Sequence, residues 1–116
     1  MPPTTFASNT LSAEVGTEHT LASIDEAGVY VLYVNKVNMV AGDVVELRAY
    51  KKVLSGDDPE VLSVVQYSGS PLAGVDVISM STAIPNDLEV EDALIFTLKQ
   101  SFGSAGRDFP WAVVKA

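Results

Sequence analysis

Short runs of apolar and β-branched residues, each closed by Gly, Pro, Asn or Asp, set the pattern of this chain. The clearest unit is AGDVVELRAYKKVLSG, residues 41–56. Gly42-Asp43 opens it and Ser55-Gly56-Asp57-Asp58-Pro59 closes it. Between them Val45, Leu47 and Ala49 alternate with Glu46 and Arg48, as in a strand with one wet face. VYVLYV, residues 29–34, is β-branched and aromatic throughout and gives the strongest strand signal. Further strands are expected over 18–24, 44–53, 61–67, 75–80 and 109–114, with one long or two short strands over 88–100. Turns are expected at 25–28, 55–59, 69–74, 84–87 and 101–108. Residues 35–40 read as one helical turn or a crossover. Pro110 has no amide to donate, so its strand should begin late or leave that position unpaired.

That pattern holds seven or eight strands at spacings of roughly 8–12 residues, with no amphipathic helix. It predicts an all-β fold, an antiparallel β-sandwich of jelly-roll-like form. Residues 1–15 read as an extended N-terminal arm or a first edge strand, anchored by Phe6 and Leu11. Residues 16–116 read as a single sandwich domain.

Several strands are apolar on both faces, which a two-layer sandwich does not require. Tyr30, Leu32 and Val34 oppose Val29, Val31 and Tyr33. Leu94 and Phe96 oppose Ala93 and Ile95, and Leu62 and Val64 oppose Val61 and Val65. Which face lies outward is not fixed by the pattern. No helix is available to cover the second face, so another subunit is the expected cover. Phe6, Leu11, Val29, Val31, Tyr33 and Ile95 are the expected interface residues. Covering ~400 Å² at about 25 cal/mol per Å² contributes on the order of 10 kcal/mol before association costs.

Composition adds mostly exclusions. At 116 residues one domain is expected, and 47% hydrophobic residues leave apolar surface to spare. A net charge of −8 disfavours nucleic acid as a direct partner. The basic residues Arg48, Lys51 and Lys52 form one loose group, and Lys99, Arg107 and Lys115 another. Each group reads as solvated strand ends or as contacts to acidic patches on neighbouring copies. The chain has no cysteine, so neither disulfides nor thiolate metal sites are expected. No run approaches the ~20 apolar residues of a membrane helix, and MPPTTFASNT lacks the features of a signal peptide.

Candidate chemistry is sparse. His19 is the one histidine, and no Ser-His-Asp set forms around it. The carboxylate groups Asp25-Glu26, Asp57-Asp58-Glu60 and Asp87-Glu89-Glu91-Asp92 fall in turns and strand ends in water, not across a cleft as glycosidase chemistry needs. Glu89 and Glu91 read as one face of a strand. Asp57, Asp58 and Glu60 offer oxygens for a weak Ca²⁺ site but lack EF-hand spacing. Gly103 and Gly106 do not make a phosphate loop. Trp111, Tyr50 and Tyr67 read as core or interface, with a sugar platform as the alternative. No enzyme activity, cofactor or metal is expected.

The segments AGDVVELRAYKKVLSG and FTLKQSFGSAGRDFPWAV, with the GVYVLYV strand ahead of them, resemble small jelly-roll-like virion proteins of tailed bacteriophages. The resemblance runs from about residue 18 to residue 114 and lies in strands and turns rather than in an active-site signature. It implies a capsid decoration (cement) protein on the outer surface of the virion. Its implied partners are the major capsid protein and copies of itself, in a trimer or another small cyclic oligomer. Another virion component (head fibre base, vertex or tail protein) and a carbohydrate-binding β-sandwich module are the alternative readings.

Overall fold

The computed structural model describes residues 3–71 and 77–116. Nine strands carry the chain: β1 (Thr4–Ser12), β2 (Glu18–Ile24), β3 (Gly28–Asn35), β4 (Val44–Lys51), β5 (Glu60–Ser68), β6 (Ile78–Met80), β7 (Ile84–Asn86), β8 (Leu94–Phe102) and β9 (Asp108–Lys115). One sheet has the order β1-β9-β3-β6, with β7 also paired to β3. The other has the order β2-β8-β4-β5. All pairings are antiparallel.

The pairing is nested. β4 meets β5, β3 meets β6 and β7, β2 meets β8, and β1 meets β9. The chain is thus one long hairpin, folded at the β4–β5 turn and rolled across two sheets. That is a jelly roll, with its sixth strand split into the short β6 and β7.

The core lies between the sheets. Tyr30, Leu32 and Val34 of β3, Leu94, Phe96 and Leu98 of β8, and Phe109 and Val113 of β9 are all buried there. Val45 and Ala49 of β4 join them, while Glu46 and Arg48 point outward, as their alternation requires.

Three expectations change. The described part of the expected arm, residues 3–15, does not stand apart from the sandwich. Thr4–Ser12 pair with β9 along their length, and Phe6 and Leu11 pack against the core. Pairing satisfies the backbone of β1 while its apolar residues fill the end of the sandwich, so the edge-strand reading is the one observed. Residues 84–87, expected as a turn, hold β7, in which Pro85 sits opposite Val29. Pro is tolerated there because β7 is an edge. Glu89 and Glu91 lie in the connection before β8, not on a strand face. The expected strand over 75–80 is seen as β6 from Ile78 on, and its residues 75 and 76, like 72–74 of the expected loop, lie outside the described residues. β9 starts before Pro110, whose register partner is Thr10 on β1; the β3 pairing stops at Trp111.

Candidate docking surface

The register sorts every strand residue into inner and outer sets. On the first sheet, Val113 faces inward, so Pro110, Ala112 and Val114 face outward. Val31 lies opposite Val114 and Tyr33 opposite Ala112. Met80 lies beside Tyr33, and Pro85 beside Val29. β1 contributes Thr5, Ser8, Thr10 and Ser12 at the rim. Among the described strand residues this face carries one charge, Asp108, at its end, where Ser12 Oγ donates to Asp108 Oδ1 at 3.0 Å. Val29, Ile78 and Met80 are well exposed on it, with Ile78 at 55% and Met80 at 61%.

The outer face of the second sheet differs. Glu18 lies opposite Lys99, and Lys99 opposite Glu46. Glu18 Oε2 accepts from Tyr50 Oη at 2.6 Å and from Thr97 Oγ1 at 2.7 Å. Partial burial disfavours the Glu18 charge, but those two hydrogen bonds and the charges of Arg48 and Lys99 outweigh it and hold the carboxyl below its usual range. Arg48 Nε pairs with Glu46. Ile95 sits on this face between Ser23 and Tyr50 and is only half exposed.

The six expected interface residues therefore separate into three groups. Val29, Val31 and Tyr33 share the apolar outer face of the first sheet. Ile95 lies on the opposite face, among polar neighbours. Phe6 and Leu11 point into the sandwich: Phe6 fills a bulge in β1 and meets the Tyr30 ring edge-on at 5.4 Å between centroids. Sequence alternation could not separate these groups, because a single bulge shifts which residues face inward.

The other candidates take structural parts. His19 Nε2 accepts from the Glu14 amide at 3.2 Å. Asp57 Oδ2 accepts from the Leu54 amide at 2.9 Å and ties the β4–β5 turn. Among the described residues no three of His, Asp and Glu are grouped to hold a metal ion. Trp111 and Tyr67 pack toward the core and Tyr50 faces outward on the second sheet, so the three aromatics form no common platform. Lys36 is buried, with Nζ 3.7 Å from the centre of the Tyr67 ring, a cation–π contact. Four of the basic groups pair within the chain: Arg48 with Glu46, Lys51 with Asp87, Arg107 with Asp43, and Lys115 with Glu26.

A buried polar knot at one end of the sandwich was hidden from the sequence. The Asp43 side chain is 1% exposed, and its Oδ2 accepts from Arg107 Nε at 2.8 Å and the Val40 amide at 3.0 Å. Burial works to raise the Asp43 pKa, but those hydrogen bonds and the Arg107 charge outweigh it and hold the carboxyl below its usual range. Gln100, fully buried, donates to Ala105 O at 2.8 Å and accepts from the Arg107 amide at 2.8 Å. Gly103 closes over this knot. A Cβ there would lie 2.7 Å from Asp43 Oδ1, and its φ of +151° also disfavours other residues. The knot ties the loop before β4 to the β8–β9 loop.

No family model matches the chain, and no curated protein matches it. Among solved structures, 99% of the chain aligns with one in the structure of infectious bursal disease virus Gx strain, at 18% identity and a TM-score of 0.45. The chain spans about a third of that protein's length, 33%.

Proposed function

We propose that this chain is a non-enzymatic structural protein of a virus particle, a jelly-roll decoration (cement) subunit that docks on the outside of a capsid. The observation that carries this is the contrast between the two outer faces. Across β2, β8 and β4 the second sheet covers its outside with its own ion pairs and hydrogen bonds. The first leaves Val29, Val31, Tyr33, Met80 and Ala112 facing outward, with a single charge at the margin among the described strand residues. A contiguous apolar face of that kind marks a protein contact rather than a solvated wall. The molecule measures 41 × 31 × 19 Å. Its broad face thus exceeds the ~800 Å² that a standard interface takes from each partner. The resemblance of its strand and turn segments to small phage virion proteins points to the shell as the partner, and a net charge of −8 suits the shell exterior better than the DNA-filled interior.

The test is co-sedimentation of the purified chain with shells stripped of it. Tyr33→Glu should abolish binding, and Ile95→Lys, on the opposite face, should leave it intact. Equal binding by wild type and Tyr33→Glu would overturn this docking face. Wild-type chain that never sediments with shells would overturn the function.

A further inference from the structure

Among the described residues β5 ends the second sheet, and none of their strands lies along one side of its backbone. It is nine residues long. Val61, Leu62, Val64 and Val65 are 44% to 53% exposed along it. Exposed edges are usually blunted by Lys, Pro, inward charges or short length. β5 has one charge, Glu60, at its first position, and one bulge, at Leu62, after which Ser63–Ser68 runs regularly. The other sheet edges are better protected: β6 and β7 have three residues each, β1 shows Ser and Thr outward, and β2 shows Glu18, Thr20 and Ser23.

Beside β5 the two sheets part slightly. The gap is lined by Leu32, Leu47, Val65, Tyr67, Met80 and Phe96 and holds about 30 Å³. That is room for roughly two waters, far below the several hundred Å³ of a small-molecule site. What such an edge accepts is an extended strand, through its free backbone groups.

We propose that this strand is β5 of a second copy, paired antiparallel about a two-fold axis at Val64. Two chains of net charge −8 repel, so they meet where charge is sparse. From Val61 to Ser68 β5 carries no charge. Centring on Val64 places Ser63 opposite Val65 and Leu62 opposite Gln66, and it brings no like charges together. Opposed residues share a face. Val64, Leu62 and Gln66 of both copies therefore line the outside, and Ser63 and Val65 close over the apolar gap. The two second sheets become one continuous sheet, in the commonest oligomeric symmetry. This contact lies away from the shell-docking face, and the two can fail separately.

Sedimentation equilibrium on the purified chain tests it. Wild type at ~100 μM, where even a modest dimer of this kind is populated, should show twice 12.3 kDa. Val64→Lys sets like charges opposite each other and should weaken the dimer by roughly tenfold or more with an unchanged thermal midpoint. Leu62→Glu alone should also weaken it. Leu62→Glu with Gln66→Lys should recover it, because each copy then offers a charge pair at that register. A monomer or trimer mass for wild type, or a dimer indifferent to Val64→Lys, would overturn the proposal. Shell binding by a strictly monomeric chain would remove this contact and leave the proposed function standing.

Discussion

Replacing Asp43 by Ala tests the buried knot that joins the loop before β4 to the β8–β9 loop. The substitution removes the acceptor of two hydrogen bonds, from Arg107 Nε and the Val40 amide. Hydrogen bonds to a charged group contribute about 1.5–3 kcal/mol each. Arg107 is 22% exposed and regains some water, and the carboxylate's own burial cost disappears, so the lower end applies. The expected loss is about 3 kcal/mol. With an unfolding entropy of about 2.1 cal/mol/K per residue, that lowers the thermal midpoint of this 116-residue chain by about 12 °C. Calorimetry or chemical denaturation of Asp43→Ala, Arg107→Ala and the double variant measures it. The double variant should lose less than the two singles together, by about 1.5 kcal/mol. The pH dependence follows from the direction of the shift. The folded carboxyl holds its proton only below the ordinary value of about 3.9. Its contribution is therefore complete above about pH 5 and falls away as acidification carries the pH through the folded pKa. The gap between wild type and Asp43→Asn should be flat from about pH 5 to 8 and narrow below about pH 4. A loss under about 1 kcal/mol, or strict additivity in the double variant, would refute the reasoning.

Two further outcomes follow from close packing. A Cβ at Gly106 would run into the Ala13 carbonyl, where the β1–β2 and β8–β9 turns press together and the Ala13 amide donates to Arg107 O at 3.0 Å. Gly106→Ala should cost about 2 kcal/mol in denaturant unfolding, and an unchanged midpoint would mean the two turns part freely. Phe6→Ala removes a half-buried ring set edge-on to Tyr30 and should cost about 2 kcal/mol while shell binding is kept. Unchanged stability with lost shell binding would return Phe6 to the role of an external anchor.

The sequence by itself determined the all-β class, most strand positions and the turns between them, because β-branched runs bounded by Gly, Pro, Asn and Asp act locally. It also showed that residues 29–34 are apolar on both faces. It did not show which side was the outside. Leu21, Phe6 and Leu62 each sit at a bulge, and one inserted residue reverses the inward set beyond it. Tertiary structure alone decided that Val31 and Tyr33 share a face that Ile95 does not. It likewise turned a polar N-terminal segment into a paired edge, because β9 offered its free side to Thr4–Ser12. The Asp43–Arg107 pair joins residues 64 positions apart. No local pattern announces it, since only the rolled hairpin brings those two loops to the same end and shuts water away from the carboxylate.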